Sequence, residues 1–264
     1  MTFLQQLLIA LVQGITEFLP ISSSGHLILI PYLTNLPDQG PLIDVAVHIG
    51  SLLAIVIYFF RDVAGLARGG FATVGIGKAP KEKRLFWWVL LGTIPAVVVG
   101  LFLKTGGYLE SFRVTDLVAV NLIAYGVLLG VADKVGRQEK SYEDLTLRDA
   151  LIVGVAQALA LIPGTSRSGV TMTAARFLGY KRVEAARFSF LLAIPAVAGA
   201  GLLAALDLAD ATAQMQWDAI VTGGLTFVAA FATMAFLMKF LQRASMLVFV
   251  IYRIALGIAL LIWF

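Results

Sequence analysis

The sequence predicts an all-α integral membrane protein with six transmembrane helices and two re-entrant helix-loop-helix hairpins, arranged as an inverted-topology repeat. Three observations predict this fold class. Of the 264 residues, 59% are hydrophobic and only 14% are charged, whereas soluble domains carry about 25% charged residues. Long apolar runs recur along the chain, and polar segments containing proline interrupt two of them. Basic residues gather in one set of connecting loops, as they do in cytoplasmic loops of membrane proteins.

Six apolar segments are long enough to cross a bilayer, which takes about 20 helical residues. They lie near 43–60, 85–103, 117–132, 185–206, 219–238 and 246–264. The apolar N-terminus lacks both a basic region and a small-residue cleavage site, so we expect no removable signal peptide. The chain has no cysteine, which excludes disulfides and thiolate metal sites. We interpret the net charge of +4 as basic inner loops and expect no nucleic-acid partner.

Two shorter apolar runs predict the re-entrant hairpins. Segments 3–19 and 149–162 end early at polar loops, and further short runs follow at 26–36 and 170–178. Irregular backbone at membrane depth is tolerated only where it is buried in protein or lines a wet cavity. Each pair is therefore predicted to dip into the membrane and return.

The distribution of lysine and arginine predicts the orientation. Fourteen basic residues lie on one side and two, Lys104 and Arg113, on the other, where an acidic loop carries Asp207, Asp210 and Asp218. The positive-inside rule puts the richer set in the cytoplasm, so both termini and the first hairpin face outside. The fourteen are Arg61, Arg68, Lys78, Lys81, Lys83, Arg84, Lys134, Arg137, Lys140, Arg148, Lys181, Arg182, Lys239 and Arg243.

A weak internal repeat supports the inverted arrangement. We treat 1–264 as a single membrane domain whose halves span about 1–140 and 145–264. A shift of 144 positions aligns Gln13 with Gln157, Ser22 with Ser166, Ser24 with Ser168 and Gly25 with Gly169. In this alignment Glu17 faces Leu161, and Ser23 faces Arg167. Two divergent loops meeting at mid-membrane are predicted to form one asymmetric site.

The first loop, "QGITEFLPISSSGH" (Gln13–His26), combines a carboxylate, hydroxyls and an imidazole. Gln13 and Glu17 are four residues apart and project from one helical face. Pro20 disfavours helical geometry in the residue before it, so the helix is predicted to stop near Phe18–Leu19. His26 is then predicted to open the second half of the hairpin.

The second loop, "IPGTSRSGVT" (162–171), is broken by Pro163–Gly164 and supplies hydroxyls and one arginine. Hydroxyls and free N–H groups at a helix N-terminus form an anion site, and the guanidinium of Arg167 suits phosphate oxygens. Facing loops are therefore predicted to cradle a polyanion. The cradle residues are Ser22, Ser24, Gly25, Thr165, Ser166, Ser168 and Thr171.

Other polar residues within apolar segments have simpler interpretations. His48, one turn after Asp44, is interpreted as an interhelical hydrogen-bond partner rather than a catalyst. Glu184 and Arg187 are interpreted as a local pair at the basic end of their span. For Arg253 a packing partner for a carbonyl and an indirect role at the site both stay open. Glu17, His26 and Arg167 are assigned to function, because an uncompensated charge at the bilayer centre costs roughly 3 kcal/mol.

At these residues the chain resembles the undecaprenyl-diphosphate phosphatase family, also called the bacitracin-resistance family. The two matching motifs read "QGITEFLPISSSGH" and "PGTSRSGVT" here, and the helix pattern fits over the whole length. The resemblance implies hydrolysis of the terminal phosphate of undecaprenyl diphosphate at the outer face of the bacterial cytoplasmic membrane. This reaction regenerates the monophosphate carrier for peptidoglycan and other cell-wall glycans and is linked to bacitracin resistance.

The resemblance also implies roles for individual residues and a divalent cation, Mg²⁺ or Ca²⁺. Gln13 and Glu17 would hold the metal or orient the attacking group. Ser23 and His26 would be nucleophile candidates or acid–base partners, and water stays a third candidate for the nucleophile. Of these we favour His26, attacking phosphorus or activating the attacking group, with Glu17 supporting it. Ser166, Arg167 and Thr171 would bind the diphosphate. The polyprenyl tail would remain among membrane lipids, and a homodimer is one candidate assembly.

A secondary transporter or flippase of polyprenyl phosphate is the alternative function. Inverted repeats and discontinuous helices meeting near the midplane are typical of transporters. Anion transport alone, however, does not require the Glu17–His26 pair. The sequence therefore favours the hydrolase.

Overall fold

The computed structural model describes residues 1–34, 39–108, 110–112, 114–206 and 212–263. Over these ranges the chain forms eleven α-helices and no β-strand, with one isolated bridge between Lys140 and Tyr180. The all-α prediction is confirmed. The helices are α1 (Phe3–Thr16), α2 (Ser23–Thr34), α3 (Pro41–Tyr58), α4 (Phe60–Thr73), α5 (Pro80–Thr105), α6 (Thr115–Val135), α7 (Leu147–Leu159), α8 (Arg167–Phe177), α9 (Arg182–Leu206), α10 (Ala213–Phe240) and α11 (Leu247–Trp263). Two 3₁₀ turns lie at Glu110–Phe112 and Tyr142–Asp144.

Four of the helices, α3, α5, α6 and α10, are long and apolar enough to cross a membrane. They correspond to the predicted spans at 43–60, 85–103, 117–132 and 219–238. Helices α9 and α11 cover the other two predicted spans, and α11 is apolar but only 17 residues long. The count of six spans stays a prediction. Arg113, Asp207 and Asp210, used for the predicted orientation, lie outside the described residues.

Helix α4 occupies much of the stretch between the predicted spans 43–60 and 85–103, which we predict from its basic residues to be a loop at 61–84. This helix is amphipathic: it carries many charged residues, and its apolar residues Val63 and Leu66 pack against the hydrophobic core. Gly69 sits directly on the start of α5, where a Cβ atom would lie 2.2 Å from the carbonyl oxygen of Glu82. The absence of a side chain at this position lets α4 fold back closely onto α5.

Both interrupted segments form the predicted helix-loop-helix pairs, α1–α2 and α7–α8, but their helix bounds differ from the prediction. Helix α1 ends at Thr16 rather than near Phe18–Leu19. Helices α2 and α8 begin three residues before the predicted 26 and 170. A serine precedes each of these helices and accepts a hydrogen bond from the backbone three residues on, as N-cap residues do. His26 therefore lies inside α2, and Arg167, Ser168 and Thr171 lie inside α8.

The first helix of each hairpin packs on a helix from the other half of the chain. Helix α1 packs on α10, and its counterpart α7 packs on α5. In the same way α3 packs on α10 while α9 packs on α5, and α6 pairs with α11. Helices in equivalent positions of the two predicted halves thus pack on helices of the other half.

Close backbone contacts fix these helix pairs. A Cβ atom on Gly50 of α3 would lie 2.3 Å from the carbonyl oxygen of Gly223 in α10, and one on Gly154 of α7 would lie 2.1 Å from that of Gly92 in α5. Small residues at such crossings let membrane helices approach closely, where dispersion forces and hydrogen bonds hold them together. The helices that carry the loops therefore have a defined position.

Candidate active site

The carboxylate of Glu17 stands at the end of α1, where the helix stops. The Glu17 amide makes the last helical bond, to the Gln13 carbonyl oxygen at 2.9 Å, and the following residues turn toward α2. The side-chain amide of Gln13 donates to Glu17 Oε2 at 3.1 Å, as the four-residue spacing predicts. Phe18 is fully buried and packs edge-on against Phe190 at 5.3 Å. The turn after Glu17 is therefore anchored in the core.

The two loops share an unusual backbone feature at aligned positions. Ser22 and Ser166 have φ values of 76° and 71°, and they are the non-glycine residues with positive φ in the described ranges. Such backbone costs about 1–3 kcal/mol and concentrates at functional sites. Each serine hydroxyl caps the following helix and lies 3.3 Å from a second hydroxyl, that of Ser24 or Ser168. The two loops therefore have the same local structure.

Glu17 joins the two loops through both carboxylate oxygens. Ser23 Oγ donates to Oε2 at 2.6 Å, and Arg167 Nη2 donates to Oε1 at 2.8 Å. Glu17 is buried and the Arg167 side chain is mostly buried, so the ion pair is poorly screened by solvent. The carboxylate of one hairpin thus meets the guanidinium of the other, as the alignment of the repeats predicts.

These groups open onto a cavity of about 260 Å³. Five of the predicted site residues line it: Glu17, Ser23, Ser24, Ser166 and Arg167. Apolar residues of the second half, among them Leu161 and Val197, complete the wall. A small pocket with hydroxyls, a carboxylate and a guanidinium suits an anionic head group rather than a whole lipid.

No catalytic role is predicted for His48 from the sequence, yet its side chain lines this cavity. Its Nδ1 lies 2.6 Å from the Asp44 carbonyl oxygen of the same helix, so Nδ1 carries the proton. The predicted interhelical hydrogen bond is therefore an intrahelical one. Within the described residues Nε2 makes no hydrogen bond, which leaves it available to the cavity. The signal in the sequence was an ionisable residue inside an apolar span, which is functional by default.

His26 is held outside the group of residues that line the cavity. Its Nδ1 donates to the Ser22 carbonyl oxygen at 2.7 Å, so Nε2 accepts from the Tyr252 hydroxyl at 2.6 Å. The two rings are stacked, with centroids 5.7 Å apart and planes at 8°. In this geometry the imidazole connects the first loop to α11. Its catalytic role stays a prediction.

Most of the remaining predicted cradle residues bond to protein groups. The Ser168 hydroxyl donates to the Leu19 carbonyl oxygen at 3.1 Å, which ties the second hairpin to the first. Thr171 Oγ1 lies 2.6 Å from Ser189 Oγ and is fully buried. The Gly25 amide donates to Ser22 Oγ, and Thr165 is fully buried with no hydrogen bond to its hydroxyl. Their direct contact with a ligand stays a prediction.

Arg253 of α11 bonds to the backbone of both loops. The fully buried guanidinium donates to the Pro20 carbonyl oxygen of the first loop at 3.1 Å. It also donates to those of Gly164 and Thr165 in the second loop, each at 2.9 Å. Arg253 is therefore a packing partner for carbonyls, in both loops, and its indirect role at the site stays a prediction. Glu184 and Arg187 form the predicted local pair, at 3.7 Å.

The residues present can complete a divalent-cation site only together with a ligand. The described residues contain no group of three or more carboxylate or imidazole side chains placed to hold a metal ion. One carboxylate, Glu17, lies beside Gln13, whose Oε1 is buried with no hydrogen-bond partner in the described chain. Carboxylate and amide oxygens suit Mg²⁺ and Ca²⁺, and Mg²⁺ is often held by one or two carboxylates plus substrate phosphates. The donor set fits a cation shared with a phosphate.

Comparison with known proteins identifies the family. The bacitracin resistance protein BacA family matches residues 6–259. The chain belongs to the BacA family. The undecaprenyl-diphosphatase of Erythrobacter litoralis is 64% identical over the full length of both chains. Those of Hahella chejuensis and Alteromonas mediterranea are 50% and 48% identical over the whole chain and 98% and 99% of their own lengths.

Membership of the BacA family confirms the resemblance that the two loop motifs carry. The family match covers both hairpins and extends into α11. The family match and the four long apolar helices together identify the chain as a membrane protein.

Proposed function

We propose that this chain is an undecaprenyl-diphosphate phosphatase that releases the terminal phosphate as inorganic phosphate. The observation that carries the proposal is the hydrogen-bonded series Ser23–Glu17–Arg167, which joins the two loops at one cavity. A hydroxyl donating to a buried carboxylate is the arrangement of a nucleophile with its base. The names of the relatives supply the substrate.

In this mechanism Ser23 attacks the terminal phosphorus while its proton passes to Glu17. The bond to the bridging oxygen breaks, and undecaprenyl phosphate leaves. Glu17 passes this proton to the departing phosphate oxygen and is a carboxylate again. A water molecule then attacks the phosphoserine while Glu17 accepts a proton from it, and Glu17 returns that proton to Ser23 Oγ as inorganic phosphate leaves. Arg167 turns from Glu17 to the phosphate oxygens, where its charge stabilises the transition state. Geometry favours Ser23 over His26 as nucleophile, since the imidazole is bonded to Tyr252.

A divalent cation at this site would be held by Glu17, with the unpaired amide oxygen of Gln13 as a further donor. When bound, such an ion neutralises phosphate charge and supports in-line transfer. The removal of divalent cations with EDTA is expected to abolish phosphate release, and Mg²⁺ or Ca²⁺ is expected to restore it. Full activity in EDTA would remove the metal from the proposal.

We also place the site in a membrane of six spans and two re-entrant hairpins, with the cavity and both termini toward the outer face. The excess of basic residues on one side supports this orientation. The exchange of packing partners between α1 and α7 supports the inverted repeat. The prenyl tail would then stay in lipid while the diphosphate reaches the cavity.

One assay tests the proposed reaction against lipid transport. The purified full chain in detergent is given undecaprenyl diphosphate and Mg²⁺ or Ca²⁺, and inorganic phosphate is measured. We expect release that is lost in Glu17→Gln and reduced in Arg167→Lys, which keeps the charge but not the bidentate fork. Folded protein that releases no phosphate with either ion would favour the transporter.

A further inference from the structure

A second cavity, of about 350 Å³, lies between α4, the start of α5 and the 3₁₀ turn at Tyr142–Asp144. We call it the basic cavity, since Arg61, Arg68, Lys81, Arg84 and Arg187 line it. It is separate from the catalytic cavity, which is the one lined by Glu17, Ser23 and Arg167. Arg187 of α9 lines the basic cavity and Ala196 of the same helix lines the catalytic cavity, and these two residues are about 14 Å apart along the helix axis. Its volume is in the usual range for small-ligand sites, about 300–1,000 Å³.

The charges in the basic cavity do not cancel. Of its three carboxylates, Asp62 is already engaged, since Arg187 Nε and Nη2 donate to its two oxygens at 3.1 and 2.5 Å. The other two, Glu82 and Glu143, face the four remaining cations. Among the described residues Arg61, Arg68 and Lys81 form no ion pair with any carboxylate. The cavity therefore keeps a surplus of positive charge.

One of the residues that line the basic cavity carries a buried donor without a partner. Tyr142 lines the basic cavity, and its hydroxyl is buried with no hydrogen-bond partner in the described chain. The Arg187 guanidinium lies 4.4 Å from the centre of its ring. Burial, and then the Asp62 carboxylate, raise the pKa of Tyr142 above its ordinary value, so the phenol stays a donor. Buried polar groups in native structures are almost always paired, so this hydroxyl requires an explanation.

Glycine opens the wall of the basic cavity. Gly65 lies between Arg61 and Arg68, one turn from each, and is buried. A Cβ atom on it would meet only Glu82 Cγ at 3.7 Å and Arg68 Nη2 at 4.0 Å, which is ordinary contact. Unlike Gly69, this glycine is not required by helix packing. It leaves room in front of the two arginines.

We propose that the basic cavity binds a phosphate group, either as inorganic phosphate or as the head group of an anionic lipid. Two guanidinium groups on one face of α4, the ammonium of Lys81 and the Tyr142 hydroxyl offer donors that match phosphate oxygens. Basic pockets at the cytoplasmic ends of membrane helices bind acidic head groups, and this end is the predicted cytoplasmic one. No metal-binding cluster occurs in the described residues, so the carboxylates do not suggest a cation site.

Binding to the purified full chain tests this proposal by native mass spectrometry in neutral detergent. The probes are phosphatidylglycerol, phosphatidylcholine and inorganic phosphate. Arg61→Gln with Arg68→Gln is expected to weaken phosphatidylglycerol binding about tenfold or more. Lys78→Gln with Lys83→Gln removes the same charge from neighbouring positions that do not line the cavity, and it is expected to change binding less than about twofold.

Each outcome decides the question. Displacement of phosphatidylglycerol by inorganic phosphate supports a site for phosphate itself, and resistance to displacement supports a lipid head-group site. Equal losses in the two double variants, or equal binding of phosphatidylcholine, would overturn the proposal. Phosphate release from undecaprenyl diphosphate reports folding of each variant. Should the α4 variant be inactive, Lys81→Gln with Arg84→Gln removes cations of the same cavity from α5.

Discussion

At the scale of single residues, one hydrogen bond distinguishes three consecutive serines. Ser22 caps α2, and Ser24 lies beside Ser22, whereas Ser23 donates to the Glu17 carboxylate at 2.6 Å. A hydroxyl is a weak nucleophile until a base accepts its proton. The attack is therefore assigned to Ser23, while Ser22 and Ser24 shape the loop.

Substitution of adjacent serines tests this assignment. Ser23→Ala is expected to lower kcat about 10³-fold or more, because the attacking group is removed. Ser24→Ala, which changes the same cavity without touching Glu17, is expected to stay within about tenfold of the parent chain. Phosphate-release kinetics with undecaprenyl diphosphate give both values. Equal effects at the two positions would contradict the assignment.

A second prediction concerns His48, whose unbonded Nε2 faces the cavity. His48→Ala is expected to lower kcat/KM about 10- to 100-fold through loss of one hydrogen bond that Nε2 accepts in the cavity, from a water or from a protonated phosphate oxygen. His48→Gln is expected to recover part of this loss, since an amide oxygen can also accept. The melting temperature should hardly change, because the side chain bonds only to a backbone carbonyl within its own helix. A large loss of stability with unchanged kinetics would make His48 structural.

Residue types and spacing predicted part of the site. An acid and an arginine in matched broken segments could be assigned to function because both are costly in a bilayer. The same argument applied to His48, but its sequence neighbour Asp44 offered a structural explanation. The direction of the His26 ring could not be predicted, since it depends on Tyr252 in the last helix.

At the scale of elements, Arg253 holds the two loops together from α11. Its guanidinium contacts carbonyl oxygens on both sides of the site, and those carbonyls lie in irregular backbone with no helical partner. Unpaired carbonyls in an apolar interior cost about 1–3 kcal/mol each. The loops therefore depend on this side chain for their relative position.

Two fully buried arginines allow a matched test of this role. Arg253→Leu and Arg176→Leu each remove a buried cation, and both are expected to lower the melting temperature by several degrees. Only Arg253→Leu is expected to lower kcat of the folded protein, about tenfold or more, because Arg176 pairs with Asp133 away from the cavity. Thermal unfolding and phosphate release measure the two effects. Equal kcat values in the two variants would show that Arg253 serves stability alone.

Helix bounds were predicted less well than helix identity. Residues with hydroxyls near proline and glycine indicated long loops, but Ser22 and Ser166 cap the following helices and extend them. Helix α4 was missed because its basic residues suggested a solvated loop. Its apolar face and the close contact at Gly69 became visible only with α5 packed against it.

At the scale of the whole molecule, the proposed orientation puts the catalytic cavity and the basic cavity at different depths. The bias in basic residues and the exchanged helix partners support one arrangement in the membrane. The repeat alignment could predict that the two loops meet, since inverted halves bring equivalent segments to the same depth. It could not predict which side chains of each loop face the cavity.

The absence of native cysteine makes the orientation directly measurable. Single cysteines at Tyr108 and Lys83, which are both exposed, report the loops predicted to lie outside and inside. A membrane-impermeant maleimide is expected to label Tyr108→Cys in intact cells and Lys83→Cys only after permeabilisation. The reverse pattern would invert the orientation and place the catalytic cavity toward the cytoplasm.

The most direct test of the central claim is to trap the covalent intermediate. Undecaprenyl diphosphate carrying ³²P in its terminal phosphate is mixed with the protein and a divalent cation, quenched in acid within the first turnover, and the labelled peptide is sequenced. We expect acid-stable label on Ser23 that is absent from Ser23→Ala. Normal turnover in Ser23→Ala, or label that survives a parallel quench in alkali but not the one in acid, as phosphohistidine does, would contradict it.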